Sequence, residues 1–164
     1  MDQFIIKQAS VQDAQDIYLV EKSAFPEERQ ASYEILLGRI KLFPGGCYVL
    51  ILNNKIVAFS TALIMNQVDS ISELNSSDQE LYNLEGNTYE LRSIAVMKEF
   101  QKQGLGKKLI KKQIANAKLL NKKYFQFTAA RDVSEFYKKT GFKRVSKYEE
   151  FHNSKQALWE MELT

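Results

Sequence analysis

The sequence predicts one α/β domain: a mixed, mostly antiparallel sheet of about six or seven strands flanked by about four helices. Three observations lead there. Apolar residues recur with a period of two in some stretches and a helical period in others, in the order β-α-α-β-β-β-α-β-α-β. Two β-rich runs are separated only by Asn53-Asn54, so consecutive strands form an antiparallel hairpin. A strand runs through Gly104-Leu105-Gly106 into a helix, but only two-thirds of the way along the chain. In a doubly wound dinucleotide fold the glycines lie near the first βα turn and an acid follows ~20 residues later, so that fold is set aside.

Residues 4–7 read as a short strand. Ser10 then caps a helix with Asp13 three residues on, and Val11, Ala14, Ile17 and Tyr18 give it an apolar face. A second helix follows Ser32, carries Ile35, Leu36 and Ile40, and ends before Pro44-Gly45-Gly46, which turns the chain. Residues 47–52 and 55–64 form the hairpin. The segment 66–87 is too long for an ordinary connection, which marks it as functional or disordered, with Leu74, Leu81, Tyr82 and Leu84 as its anchors or as a short helix.

The strand 88–97 follows. Its period of two puts Glu90, Arg92, Ile94 and Val96 on one face and Leu91, Ser93 and Ala95 on the other. Beyond the glycine turn, Leu105, Leu109, Ile110, Ile114, Ala117 and Leu120 make a helical apolar stripe with lysines opposite. Residues 124–128 form a strand. Asp132 and Glu135 read as a capping box for a short helix carrying Phe136 and Tyr137, stopped by Gly141. The last strand alternates Ala157, Trp159, Met161 and Leu163.

A length of 164 residues with 45% hydrophobic content suits a single domain over 1–164. No apolar run approaches the ~20 residues that span a bilayer, and Met1-Asp2-Gln3-Phe4 lacks the basic-then-apolar pattern of a secretory signal, so a cytoplasmic protein without a membrane partner is expected. The single cysteine, Cys47, reads as core, and with one histidine, His152, a zinc site is out of reach; no metal is expected.

A net charge of +3 is too small to point to nucleic acid, and no aromatic ladder accompanies the basic residues. Lys102, Lys107, Lys108, Lys111, Lys112, Lys118, Lys122 and Lys123 gather in and after the glycine turn. Asp69, Glu73, Asp78, Glu80 and Glu85 fall in a stretch with no basic residue. One pole suits phosphates and the other cations, unless both are simply solvated faces.

Backbone N–H groups at a helix start have no intrahelical partner and carry the positive end of the helix dipole, so Gly104 and Gly106 let phosphate oxygens approach closely. A lone Gly-x-Gly is weak, because the same glycines also serve a tight strand-to-helix turn. Its neighbours carry more. Leu91-Arg-Ser-Ile-Ala-Val96, then Gln101-Lys-Gln-Gly-Leu-Gly106, then Glu135-Phe-Tyr-Lys-Lys-Thr-Gly-Phe142 closely resemble the GNAT acetyltransferase superfamily. The similarity is strongest over residues 88–145, and the order of elements extends it along the chain. Ala24-Phe-Pro-Glu-Glu-Arg-Gln-Ala-Ser32 and the end of the chain, with His152 and Ala157-Leu-Trp-Glu-Met161, further resemble the bacterial and fungal relatives of arylalkylamine N-acetyltransferases. One departure stands out: where the animal enzymes of that branch carry two histidines, this chain has Glu90 and Arg92.

The resemblance implies acetyl-CoA as donor and a primary amine as acceptor, with direct attack in a ternary complex. It implies that the backbone of Ile94, Ala95 and Val96 pairs with the pantetheine arm, and that an N–H near Val96 stabilises the oxyanion formed on the thioester carbonyl. It also implies that Gln101, Lys102, Gln103, Gly104, Leu105, Gly106 and Lys107 cradle the pyrophosphate. An aliphatic amine with pKa near ~10.4 needs about 4–5 kcal/mol to reach its nucleophilic form at neutral pH, so a base must take its proton. Glu90 is the candidate base; an ion pair with Arg92 is the alternative for it. Tyr137 matches the general acid of many such enzymes, unless it is core with a satisfied hydroxyl.

The acceptor side is expected to be built from segments about 24–40 and 66–87, whose carboxylates would attract a small cationic amine, an arylalkylamine or a polyamine. Tyr82 or Tyr89 is a candidate cation-attracting ring. A protein N-terminal or lysine acetyltransferase is an alternative, as is a non-catalytic module that binds coenzyme A. A homodimer stays open.

Overall fold

The computed structural model describes residues 3–164, without the side chains of residues 134 and 136; the expected apolar role of Phe136 therefore lies outside the described side chains. The strands are β1 (Phe4–Gln8), β2 (Tyr48–Leu52), β3 (Lys55–Met65), β4 (Thr88–Val96), β5 (Tyr124–Ala130), β6 (Lys143–Arg144), β7 (Glu149–Phe151) and β8 (Ser154–Glu162). The helices are α1 (Ala14–Ala24), α2 (Tyr33–Leu42), α3 (Asp78–Leu81), α4 (Leu105–Leu119) and α5 (Ser134–Lys139). The strand order is β1-β2-β3-β4-β5-β8-β6, with β7 also paired to β8. β4 and β5 run parallel, whereas the β1–β2, β2–β3, β5–β8, β6–β8 and β7–β8 pairs are antiparallel. This is the expected mixed, mostly antiparallel sheet. The described residues exceed the expected count by short pieces: the single turn α3 and the strands β6 and β7.

Two compact units share the chain. The first comprises the residues up to Ala62 together with Arg92–Asn116, and the second comprises Leu63–Leu91 with Ala117–Thr164.

In the first unit, Ser10 N–H donates to the Asp13 carboxylate at 2.9 Å and starts a 3-10 turn that runs into α1. Ser32 caps α2 by accepting from Ile35 N–H at 3.1 Å. Ala14, Ile17 and Val20 of α1 and Leu36 and Ile40 of α2 bury against Cys47, Val49, Phe59 and Ala95, so Cys47 is core as expected. Asn53 and Asn54 both adopt left-handed backbone (φ 51° and 65°), the conformation that a two-residue hairpin turn demands and that asparagine tolerates. A second cluster joins Tyr48, Leu50 and Val57 to Ile94, Val96 and the α4 residues Leu105 and Leu109. Buried Gln113 of α4 donates to Gly46 O and Ser60 Oγ at 2.9 and 2.7 Å, tying the helix to the turn before β2.

In the second unit, β5 pairs with β8 from Tyr124–Glu162 to Ala130–Gln156. One face of this pair is aromatic: Tyr89 stacks on Phe125 at 5.5 Å, and Phe127 lies 4.7 Å from Phe142. The other face receives Val68, Ile71 and Leu74 beside Phe151 and Leu158, so the long acidic segment is fastened by its own apolar residues. Leu74 is an anchor as expected, whereas Leu84 is exposed. Lys122 Nζ donates to Leu84 O and Gly86 O at 3.1 and 2.8 Å, closing the end of that segment.

Three local expectations shift. Leu120 leaves the apolar stripe because α4 ends at Leu119 and Asn121 turns left-handed (φ 58°), so Leu120 is exposed. Asp132 does not cap α5: a 3-10 turn, Arg131–Val133, absorbs it and moves the cap to Val133, while Glu135 faces Lys138 at 3.5 Å. The last strand carries Ala157, Trp159 and Met161 as expected but runs Ser154–Glu162, so Leu163 lies just beyond it. His152 and Asn153 (φ 48° and 62°) make a tight hairpin turn into it from β7, a turn for which Asn153 was the available sequence signal.

Candidate functional site

The glycine turn lies wholly in the first unit. β4 ends at Val96, a 3-10 turn covers Lys98–Phe100, and α4 begins at Leu105. Gln101 Nε2 donates to Val96 O at 2.9 Å, so the glutamine side chain braces the turn against the strand end. Lys102 and Gly104 have positive φ, 64° and 82°. The first intrahelical bond runs from Lys108 N–H to Gly104 O at 3.2 Å, which leaves the N–H groups of Leu105, Gly106 and Lys107 ahead of it at the positive end of the helix.

The two glycines serve different needs. A Cβ on Gly104 would meet nothing within 4 Å, so glycine is required there by backbone angle alone. Gly106 has no left-handed φ, and a Cβ there would make only an ordinary 3.8 Å contact with Val96 Cγ2. The protein's own packing does not ask for glycine at 106. An anion lying against the amides would, and the donor set of helix-start N–H groups with exposed Lys102 and Lys107 could hold the diphosphate of coenzyme A. Other lysines of the cluster have local partners: Lys108 sits over the Phe4 ring at 4.4 Å, and Lys112 over Tyr48 at 5.4 Å. Ala95 is buried, and Ile94 and Val96 are half-buried with their side chains in the α4 cluster. Among the described residues β4 is laddered to β5 over Thr88–Glu90 with Tyr124–Gln126.

Glu90 and Tyr137 belong to the second unit. Glu90 is 1% exposed and stands in register with Gln126 on β5, which stands in register with Glu160 on β8. Directly paired residues point to one face of a sheet, so Glu90, Gln126 and Glu160 form a cross-strand polar row. Tyr137 lies elsewhere. Its ring is 4.4 Å from Phe127, on the face that holds Phe125 and Tyr89. Burial pushes its phenol up to about 12. The structure thus places both expected side chains in one unit, Glu90 fully buried and Tyr137 partly, but does not bring them to one face. Tyr89 is fully buried against Phe125 and is core, not a cation-attracting ring. Arg92 is half-buried and belongs to the first unit.

Two charged groups escaped the sequence reading. Glu21 of α1 is 3% exposed, and Arg39 of α2 is likewise buried. Glu21 Oε2 accepts from Ala31 N–H at 2.8 Å, holding the α1–α2 connection. Burial raises the proton affinity of this carboxyl, against the opposing pull of the Ala31 N–H and the Arg39 charge. Arg39 donates to Thr61 Oγ1 at 3.4 Å, and the Thr61 and Ser93 hydroxyls are hydrogen-bonded, which carries the network to β4. The signal was present in the sequence: Glu21 and Arg39 interrupt the apolar stripes of two adjacent helices.

Among the described residues there is no group of side chains suited to a metal ion, and no helix is long and apolar enough to cross a membrane. No curated protein sequence matches the chain significantly. Solved structures match its fold along nearly its full length. The loading GNATL domain of CurA from Lyngbya majuscula superposes with a TM-score of 0.81 at 17% identity, covering 98% of each chain. The PaiA N-acetyltransferase from Thermoplasma acidophilum, solved with coenzyme A, gives 0.71 at 16% identity, covering 98% of this chain and 99% of that one. The ribosomal-protein-S18-alanine N-acetyltransferase from Escherichia coli gives 0.69 at 16%, covering 99% and 95%. The sequence profile of the acetyltransferase (GNAT) family matches residues 12–142, a span that takes in both the amide-lined turn and the strand bearing Glu90. The chain therefore belongs to the acetyltransferase (GNAT) family and is an N-acetyltransferase that uses acetyl-CoA.

Proposed function

We propose that the acceptor is a small cationic primary amine, an arylalkylamine or a polyamine, acetylated by direct attack within a ternary complex. The observation that carries this reading is the way the acidic segment is built. Residues 66–87 are not a loose loop: Val68, Ile71 and Leu74 are buried, while Asp69, Glu73, Glu80 and Glu85 remain exposed. A fixed surface rich in carboxylates attracts a cation without losing segment entropy on binding. The likeness of segments 24–32 and 157–161 to the bacterial and fungal arylalkylamine branch supports the same choice.

In this reading acetyl-CoA supplies an activated acyl group whose thiolate leaves. Turn and helix-start amides from Lys102 to Lys107 hold its diphosphate, and the β4 backbone at Ile94, Ala95 and Val96 receives the pantetheine arm. Glu90 takes the proton from the acceptor ammonium, directly or through water; the amine nitrogen then forms the new C–N bond as the C–S bond breaks, and the second proton it must lose to become a neutral amide passes to water. Tyr137 donates to the departing sulfur. Because its phenol titrates at about 12 and a thiol at ~8.5, full proton transfer is uphill by on the order of 5 kcal/mol, so its part is a hydrogen bond from a permanently protonated donor.

Release of free thiol from acetyl-CoA tests the proposal with tryptamine, 1,4-diaminobutane and an alanine-leading peptide as acceptors. Higher kcat/KM on either amine supports it. Preference for the peptide would make the chain a protein acetyltransferase, and coenzyme A binding without turnover on any acceptor would leave a non-catalytic module.

A further inference from the structure

Gln126 lies at the centre of the second unit's polar row, and its amide is used at both ends. Its Oε1 accepts from Val68 N–H at 3.2 Å, while its Nε2 donates to Val68 O at 2.9 Å and to Glu160 Oε1 at 2.9 Å. The side chain is fully buried. It therefore reads the main chain of Val68 as a neighbouring strand would, in the interior, where an unmade hydrogen bond is expensive.

Glu160 decides which way round the amide sits. A carboxylate only accepts, so the nitrogen of Gln126 must face it, and the oxygen is left for Val68 N–H. Gln67 Nε2 donates to the same Glu160 oxygen at 2.7 Å, and Gln67 N–H donates to Asn87 Oδ1 at 3.2 Å. Residues 67 and 68, where the acidic segment begins, are thus tied to the sheet through one carboxylate and one amide. Gln126 stands directly in register with Glu90.

We infer that Gln126, oriented by Glu160, is a positioning residue that pins the start of the acidic segment to the sheet face bearing Glu90, and so sets how acceptors bind. The role as acceptor wall rests on the proposed function above; the pinning itself does not. Neither residue touches the reacting atoms in this assignment.

The test uses the full chain and three variants. Gln126→Glu keeps the shape but turns an acceptor toward Val68 O and toward Glu160. Glu160→Gln removes the charge and lets the Gln126 amide flip. The double exchange Gln126→Glu with Glu160→Gln restores a donor opposite an acceptor. Amide hydrogen exchange should quicken at least tenfold over residues 67–75 in Gln126→Glu, with α4 unchanged, and should recover partly in the double exchange. For the best acceptor of the panel above, Gln126→Glu should raise KM about tenfold while kcat and the KM for acetyl-CoA stay within twofold. Unchanged exchange at 67–75 in both single variants would overturn the pinning, as would equal losses toward both substrates or no recovery in the double exchange. If the wild type acetylates no member of the panel, the acceptor reading falls while hydrogen exchange still decides the pinning. Should Gln126→Glu fail to fold, Glu160→Gln alone decides it by the same readouts.

Discussion

Glu90 and Tyr137 stand on opposite faces of the strand pair β4–β5: Glu90 shares its face with Gln126, while the Tyr137 ring packs on Phe127 at 4.4 Å on the other. The two side chains are separated by a layer of backbone, so each can be removed and read alone.

Tyr137→Phe keeps the ring on Phe127 and deletes only the hydroxyl. The expected result is a fall in kcat of roughly a hundredfold with the KM for acetyl-CoA within twofold. Equal losses in both would remove Tyr137 as a donor to sulfur. The same variant has a signature without substrate. The buried phenol has its folded value raised to about 12 from 10.0, so stability is whole below 10 and is lost as pH rises toward 12, where the unfolded chain has already released that proton. Absorbance titration of the wild type should show a late tyrosine that is missing in Tyr137→Phe.

Glu90→Gln removes the proposed base while retaining size and polarity. Turnover at neutral pH should drop by about two to three orders of magnitude. Raising the pH toward the acceptor's own pKa near ~10 supplies deprotonated amine from solution, so the variant should regain close to tenfold activity per pH unit while the wild type does not. A flat residual profile would leave Glu90 a structural group.

Gly104→Ala and Gly106→Ala separate stability from binding at the turn. At 104 the φ of +82° charges an alanine roughly 1–2 kcal/mol, so thermal stability falls and coenzyme A binding weakens with it. At 106 the new methyl meets only Val96 at 3.8 Å, so stability holds, yet in the proposed function the methyl would stand where the diphosphate approaches the amides. Calorimetry should give a tenfold or greater loss of coenzyme A affinity for Gly106→Ala at unchanged melting temperature.

Glu21→Gln keeps an acceptor for Ala31 N–H and discards a buried charge. Burial raises the folded pKa of this carboxyl above 4.5, so its contribution to stability is fully present below 4.5 and declines as pH rises through the folded value. The variant should therefore melt above the wild type at pH 7, and the two curves should converge below pH 4. A variant less stable at pH 7 would show that the attraction of Arg39 outweighs desolvation.

Asp69→Asn, Asp78→Asn, Glu80→Gln and Glu85→Gln together should raise KM for 1,4-diaminobutane several-fold at low salt, with the effect fading as salt screens it. Glu73 is left in place because it accepts from the N–H groups of Asp69 and Ser70 at 2.8 and 3.0 Å; those bonds hold its carboxyl below the usual range and shape the segment. An unchanged KM would reject attraction by these carboxylates.

Local chemistry made much of the molecule legible in its sequence. Period-two and helical apolar patterns, the Asn53-Asn54 turn, the Ser10 and Ser32 caps, and the glycines before α4 each act through neighbours a few residues away, so the order of elements and the amide-lined turn followed directly. What tertiary structure decided were relations between distant residues. That Glu90 and Tyr137 point to different faces follows from strand register and from where α5 lands. That Gln126 grips Val68, or that Glu21 and Arg39 are buried as charges, depends on pairings across tens of residues. Spacing along a chain dictates which backbone angles and faces are cheap; only packing determines which buried polar groups find one another, because each must replace water with a partner that folding has to bring to it.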